Sequence, residues 1–264
     1  MGASQGLNIL LNLFFGVTVN AAMGIANQVQ TAVYSFVSNF QTAFNPQIVK
    51  SYVSGDRCYF IDLIMRTSKY SYFLLFAISL PLYICCEEVL SLWLGEVPAH
   101  TVSFCRLMIL LSLLDALQGP LWVSVQATGK IRDYQILMSV MILSNLPFSY
   151  LFLRMGYMPE VVLEIRCMLN FFTLFVRLWY LRRLYDFPVW RYLREVVGRV
   201  IMVTAVVYPI VYLPLETMGF AWKIILLGMV SLLMDGLAMY YLGLDREERK
   251  LLASQLKKIY EKYK

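Results

Sequence analysis

Long apolar runs separated by short polar breaks are the main pattern along this chain. The runs are long enough to cross a bilayer as helices, and they lack the alternation with a period of two that marks a transmembrane β-strand. They predict about eight membrane spans, at 5–20, 22–44, 68–90, 102–127, 134–154, 161–181, 199–216 and 220–243. The predicted fold class is therefore all-α, a polytopic transmembrane helical bundle.

The first run is short for a complete span, because its apolar part covers only residues 7–15. We therefore expect the first span to be truncated and the chain to begin inside a helix. The N-terminus also lacks the basic start and the small-residue cleavage site of a signal peptide.

A polar stripe follows one face of the second run. At 100° per residue, an arc of about 80° contains Asn20, Asn27, Thr31, Ser35, Ser38, Thr42 and Asn45, and this arc is flanked by Gln28, Gln30, Asn39 and Gln41. Asn8 and Asn12 form a shorter polar line in the preceding run. The stripe could hold neighbouring helices together through hydrogen bonds. Its continuity along a whole span favours a water-filled substrate path, and its uncharged amides and hydroxyls suit a hydroxyl-rich ligand such as a sugar.

Four charged side chains lie inside predicted spans, where each costs several kcal/mol unless it is paired or faces water. They are Asp115, Arg166, Arg177 and Asp235. Arg166 and Arg177 are close to three helical turns apart and so share a face. Asp115 precedes the break at Gly119–Pro120 and is the preferred functional candidate. A buried ion pair or an interface anchor is the alternative for each of these residues.

Composition supports a membrane protein, since 59% of the residues are hydrophobic, only 15% are charged and the mean hydropathy is +0.63. The net charge of +6 does not indicate nucleic acid, because the basic residues lie between the apolar runs. A single histidine and the lack of a CxxC pair argue against a metal centre or a Ser-His-Asp triad. We therefore expect no enzyme activity, cofactor, metal or nucleic-acid partner.

The basic residues also predict an orientation. Most of the 23 lysines and arginines fall in the segments 45–69, 128–133, 182–199 and 244–264, which places these segments and the C-terminus in the cytoplasm. The basic amphipathic tail, 244–264, is predicted to be either a solvated helix or a helix lying on membrane lipids of the inner leaflet.

Four stretches resemble the C-terminal half of Wzx-type polysaccharide flippases, which belong to the multidrug/oligosaccharidyl-lipid/polysaccharide exporter superfamily. These stretches are GLNILLNLFFG, NAAMGIANQV, FVSNFQTAFNPQIVKSYVSGD and DALQGPLWVSVQATGKIRDYQ. The resemblance extends to about residue 185. One departure is Met23, where related sequences often carry an arginine, so a cationic contact is missing at this position.

The resemblance implies that residues 1–185 form the second bundle of a MATE-like transporter fold and that 186–243 form two additional helices. It also implies translocation of an undecaprenyl-pyrophosphate-linked oligosaccharide across the bacterial inner membrane by alternating access. This step belongs to lipopolysaccharide O-antigen or other polysaccharide biosynthesis. A missing N-terminal half or a second chain would close the cavity, and the coupling ion, proton or sodium, is left open.

Three alternatives remain at this stage. A cation-coupled multidrug exporter of the same superfamily would have an aromatic-lined pocket with essential carboxylates. A non-transporting remnant would have the same spans without activity. A membrane enzyme of glycan assembly would need a large outer loop, whereas the outer connections here are short.

Overall fold

The computed structural model describes residues 2–212 and 220–244, and every regular element in these ranges is helical. Its helices are α1 (Gly2–Phe15), α2 (Val17–Val53), α3 (Arg57–Ile84), α4 (Cys86–Leu94), α5 (Thr101–Thr128), α6 (Arg132–Leu143), α7 (Asn145–Arg154), α8 (Val161–Tyr185), α9 (Val189–Tyr192), α10 (Gly198–Tyr212) and α11 (Phe220–Ala238). Short π-helical turns follow α9 at Leu193–Val197 and α11 at Met239–Gly243. The prediction of an all-α bundle is confirmed for this part of the chain.

Helix ends follow local sequence signals. Gly16 separates α1 from α2 with a φ of 80° and a ψ of −167°, a conformation open to glycine alone among the common residues. The Asp56 carboxylate caps α3 by accepting a hydrogen bond from the Tyr59 N–H at 3.0 Å. Gly129 ends α5 in the left-handed region with a φ of 73°.

Several predicted span boundaries are wrong. The first span, 5–20, is interrupted at Gly16, so residues 17–20 belong to α2. Span 68–90 is divided at Cys85, where α3 and α4 are bent by 72°. The predicted span 134–154, in contrast, agrees with the candidate membrane span Arg132–Arg154, in which only Ser144 separates α6 from α7. At Gly16 the flanking residues are apolar, so hydropathy alone does not detect the break, whereas Glu87 and Glu88 directly follow the bend at Cys85.

Membrane-crossing potential is clearest in the middle of the chain. In the described ranges, α5 and the combined α6–α7 are long and apolar enough to cross a membrane, and the bent pair α3–α4 is a third span if it counts as one. Helices α2 and α8 do not meet the same requirement, although both are long enough. The polar stripe lowers the hydropathy of α2, and α8 carries several charged residues. The predicted count of eight therefore stays a prediction. Residues 213–216 of one predicted span and 245–264 of the tail lie outside the described residues.

The core is arranged around α5. In the most apolar 18-residue stretch of α5, 72% of the residues are buried, compared with 22% in the corresponding stretch of α6–α7. Helix α5 is therefore central and α6–α7 is peripheral. One hydrophobic cluster includes Phe104 and Met108 from the first half of α5, and a second includes Leu117 and Leu121 from its second half. The two clusters meet at Ser112, which lies between Leu111 of the first cluster and Leu113 of the second.

Candidate functional site

The polar stripe of α2 lies largely on the surface of the described structure. Its exposed members are Gln28, Thr31, Ser35, Asn39 and Thr42, whereas Asn20, Asn27, Ser38 and Asn45 are partly buried. The hydroxyls donate to carbonyls of their own helix, for example Thr31 to Asn27 and Thr42 to Ser38, each at 2.8 Å. With the donor satisfied, each hydroxyl oxygen can still accept a hydrogen bond from a ligand. Contacts with the other described helices therefore do not account for the exposed part of this face.

A groove of about 280 Å³ runs beside the stripe and reaches α5. Its lining consists of Gln30, Thr31, Tyr34, Ser35, Ser38 and Asp115. Helix α2 packs against α5 along this line. Three of the predicted path residues, Thr31, Ser35 and Ser38, thus line this groove together with Asp115. Asp115 is the preferred functional candidate among the charges within predicted spans.

Asp115 is held by a chain of hydrogen bonds between α5 and α8. The Asn170 Nδ2 donates to Asp115 Oδ1 at 2.7 Å, and the Gln118 Nε2 donates to the Asn170 side-chain oxygen and to its main-chain carbonyl. The Arg177 Nη1 in turn donates to the Gln118 carbonyl at 2.7 Å. These bonds fix the depth at which the two helices meet.

A second cavity, of about 240 Å³, opens on the other side of Asp115. Helix α8 contributes one polar face with Arg166, Asn170, Thr173 and Arg177, and the other lining residues are Leu7, Asp115, Gln118, Met141, Ile142, Asn145 and Leu169. The prediction that the two arginines share one side of α8 is therefore confirmed. The polar face extends about 17 Å along the helix axis from Arg166 to Arg177. Asp115 therefore stands between the neutral groove and a cavity with two cationic side chains.

Pro120 leaves part of the α5 backbone without its usual partner. A proline has no N–H, so the Ala116 carbonyl four residues earlier cannot form its helical hydrogen bond. The Gln41 Nε2 of α2 donates to this carbonyl at 2.9 Å instead. The next two carbonyls, of Leu117 and Gln118, accept from the Tyr192 hydroxyl at 3.1 Å and from Arg177. Side chains of three other elements thus donate to the α5 backbone next to Pro120, within a helix that is continuous from Thr101 to Thr128.

Other predicted site residues lie elsewhere. Asn8 and Asn12 on α1 line neither cavity, and the same holds for Asn20, Asn27, Gln28, Asn39, Thr42 and Asn45 of α2. Asp235 is buried on α11, which packs against α3 and α10, and it also lines neither cavity. The structure does not test the prediction that these residues line a substrate path.

Four polar residues that line the second cavity were not predicted as site residues: Gln118, Asn145, Asn170 and Thr173. The sequence carries a signal for two of them, because Asn170 and Thr173 follow Arg166 by four and seven residues and so share its helical face. No group of three or more His, Cys, Asp or Glu side chains that could hold a metal occurs in the described ranges.

Comparisons with models of known protein families, with curated proteins and with solved structures found no match to this chain.

Proposed function

We propose that this chain is part of a transporter that moves a lipid-linked oligosaccharide from the cytoplasmic to the outer leaflet of a bacterial inner membrane. The proposal includes the eight spans, the cytoplasmic C-terminus and the Wzx-type character that the sequence resemblance implies. The observation that carries it is the exposed, uncharged polar face of α2 beside a groove of about 280 Å³. Exposed amides and hydroxyls on a membrane-length helix are costly in lipid and therefore favour a wet path.

The chemistry of this face suits a glycan. Thr31, Ser35 and Asn39 present hydrogen-bonding groups without fixed charge. Such groups can bind successive sugar hydroxyls weakly enough for each sugar to move on, while the polyprenyl tail stays in lipid. Because the face is exposed, a second wall must cover its other side during transport. A further bundle, in the same polypeptide or in a second chain, supplies this wall.

The reaction on this proposal is alternating access without covalent chemistry. Substrate, and a coupling proton or sodium ion where one is used, shifts the population between inward-open and outward-open states. Repeated opening requires helices that pack in two arrangements. The missing backbone hydrogen bond at Pro120 of α5, where side chains from three other elements donate to the backbone, is a suitable place for such a change.

The transport step is tested in the cells that make this protein. Cells without the gene should accumulate the lipid-linked oligosaccharide on the cytoplasmic leaflet, where a sugar-binding lectin added to spheroplasts cannot reach it. The intact gene should restore lectin binding. Equal lectin binding with and without the gene would rule out this function.

The path itself is tested by single cysteines in a protein whose native cysteines are replaced. A water-soluble maleimide should label cysteine at Thr31, Ser35 or Asn39. It should not label cysteine at Phe36, which is 54% exposed but apolar, or at Val33, which is buried. A lipid-soluble maleimide should reach Phe36, so this position controls for exposure. Equal labelling of Phe36 and Ser35 by the water-soluble reagent would argue against a separate wet path.

A multidrug exporter is the rival within the same architecture. It would use an aromatic-lined pocket, whereas Tyr34 is the one aromatic residue in the two cavities described above. For this rival, Asp115→Asn and Asp235→Asn should abolish the export of cationic dyes. An unchanged dye efflux in cells lacking the gene would exclude it.

A further inference from the structure

Two cysteine thiols from neighbouring helices meet near the end of the bundle that is predicted to be external. Cys86 is the first residue of α4, and Cys105 lies one turn inside α5, which begins at Thr101. The Cys86 Sγ donates to the Val102 carbonyl at 3.9 Å, which places this sulfur against the first turn of α5. The Cys105 side chain forms a hydrogen bond with the same sulfur. The two thiols are therefore in direct contact.

The packing distinguishes Cys86 from Cys85, its neighbour in the chain. Cys86 and Cys105 are 2% and 0% exposed and belong to the first hydrophobic cluster. Cys85 is as deeply buried but belongs to the second cluster. Helix α4 bends away from α3 by 72° at this point, and its buried residues, Cys86 and Leu90, pack in the cluster that α5 shares. The fold thus brings together Cys86 and Cys105.

Helix α4 has the side chains of a helix at a membrane–water interface. Its first turn contains the exposed carboxylate of Glu87, and Trp93, near its other end, is 54% exposed. Tryptophan is enriched at this depth of a bilayer. Residues 95–100 connect α4 to α5, and Cys105 lies only about 6 Å along the α5 axis from Thr101. The thiol pair is therefore close to the water on this side of the membrane.

We propose that Cys86 and Cys105 form a disulfide that fixes α4 to α5 in the folded protein. On the orientation included in the proposed function, this end of the bundle faces the periplasm, and the compartment assigned to the thiols rests on that function. Disulfides form and persist in the periplasm because it is oxidising. The contact between the two thiols does not depend on the orientation.

The bond forms by thiol–disulfide exchange with a protein disulfide oxidant of the periplasm. The thiolate of one cysteine attacks the oxidant's disulfide, and a mixed disulfide forms as the first oxidant thiolate leaves. The thiolate of the other cysteine then attacks the sulfur of the first cysteine and releases the second oxidant thiolate. The cysteines lose two electrons and the oxidant gains them, and the two thiol protons pass to the oxidant's thiolates. Because both thiols are buried in the folded chain, the exchange takes place before α4 packs against α5.

The test is the redox state of each cysteine of the full-length protein in its own membranes. The membranes are quenched with acid, free thiols are blocked with N-ethylmaleimide, and thiols released by dithiothreitol are labelled with the deuterated reagent. Mass spectrometry should find the deuterated label on Cys86 and Cys105 and the ordinary label on Cys58, Cys85 and Cys167. Without dithiothreitol, the peptides that contain Cys86 and Cys105 should be found linked.

Cys85→Ser is the matched control, because it changes the adjacent buried thiol and should leave the link intact. Cys86→Ser and Cys105→Ser should each remove the link. The bond closes a loop of about 20 residues, so dithiothreitol should lower the Tm of the parent and of Cys85→Ser by about 5–10 °C. It should leave the Tm of Cys86→Ser and Cys105→Ser unchanged. If a serine variant does not fold, the labelling of the parent protein still decides.

The outcomes separate the disulfide from the transport function. Ordinary label on Cys86 and Cys105, or a link to Cys85 in place of Cys86, would overturn the inference. A link that appears only after an oxidant is added to the membranes would overturn it as well, since the thiols would not be joined in the cell. Linked cysteines without oligosaccharide transport would refute the proposed function alone, and transport by a protein with five free thiols would refute the disulfide alone.

Discussion

The carboxamide of Gln41 fills the space beside Gly119 and donates to the Ala116 carbonyl at 2.9 Å. A Cβ atom added at Gly119 would overlap the Gln41 Oε1 and lie 2.8 Å from its Nε2. Glycine at 119 is thus needed for close approach rather than for an unusual backbone conformation. Gln41 and Gly119 thus couple α2 to the part of α5 next to Pro120.

Gly119→Ala should lower the free energy of unfolding by about 1 kcal/mol, the usual size of a buried interhelical hydrogen bond in a membrane protein. The added methyl displaces the Gln41 amide and leaves the Ala116 carbonyl unsatisfied. In a Gln41→Ala background the same change meets open space and gains helix propensity of up to about 1 kcal/mol. In this background Gly119→Ala should therefore raise the free energy of unfolding instead of lowering it. SDS-induced unfolding of the four proteins of this cycle measures the effect.

Gly24→Ala is the control for this cycle, because a Cβ at Gly24 has no neighbour within 4 Å. It should give the same small change in both backgrounds. An equal effect of Gly119→Ala with and without Gln41 would show that the two residues are not coupled.

The sequence revealed only part of this residue-scale picture. Gln41 was placed beside the α2 stripe by helical periodicity, and Asp115, Arg166 and Arg177 were recognised as costly charges in apolar runs. The acceptor of Gln41 could not be recognised, because a main-chain carbonyl freed by Pro120 lies 75 residues further along the chain. Asn170 and Thr173 share a helical face with Arg166 by their spacing. They are uncharged, so the search for charges within apolar runs did not select them.

At the scale of the helix, α5 is shaped by its proline. Pro120 removes one N–H in the middle of the bundle, a loss that transmembrane helices tolerate where neighbouring side chains satisfy the freed carbonyl. The carbonyls of Ala116, Leu117 and Gln118 are satisfied by Gln41, Tyr192 and Arg177. Three consecutive carbonyls of α5 thus accept hydrogen bonds from side chains of neighbouring elements, and the one freed by Pro120 is the Ala116 carbonyl.

Pro120→Ala should uncouple α5 from Gln41. The new N–H can donate to the Ala116 carbonyl, so the carbonyl no longer needs the Gln41 amide. The cost of Gln41→Ala, about 1 kcal/mol in the parent protein, should fall close to zero in the Pro120→Ala background. The free energy of SDS-induced unfolding gives both numbers.

Pro147→Ala provides the comparison for this prediction. Pro147 lies in the first turn of α7, where the N–H has no intrahelical partner in any case. The cost of Gln41→Ala should be the same with and without this change. A full cost of Gln41→Ala in the Pro120→Ala background would mean that the amide stabilises α5 in another way.

Helix type was predictable from the sequence, whereas several helix boundaries were not. Long apolar runs require helices in lipid, and every described element is helical. The break at Gly16 depends on a backbone conformation within an apolar stretch, and the bend at Cys85 depends on how α4 packs against α5. The break at Gly16 leaves the local hydropathy unchanged, whereas Glu87 and Glu88 follow the bend at Cys85.

At the scale of the whole molecule, contacts between loops agree with the predicted grouping of loops by side. Arg57, at the start of α3, donates to the Tyr185 carbonyl and lies 3.4 Å from the Asp186 carboxylate, just after α8. Both positions belong to segments predicted to be cytoplasmic. At the other end of these helices, His100 Nδ1 lies 2.6 Å from Glu160 Oε1 and joins two connections predicted to be external. The packing of α8 against α5 could not be predicted, because it depends on polar partners far apart in the chain.

The orientation of these two ends relative to the membrane is testable with the chain's own chemistry. Cys58 is exposed next to Arg57, whereas Cys85, Cys86 and Cys105 are buried and Cys167 is partly buried. A membrane-impermeant maleimide should therefore react with Cys58 only after spheroplasts are permeabilised, because the basic segment 45–69 is predicted to be cytoplasmic. The Cys58→Ser variant should lose this labelling. Tyr157→Cys, on the exposed opposite connection, should be labelled without permeabilisation. The reverse pattern would invert the molecule in the membrane and would contradict the direction of transport proposed for it.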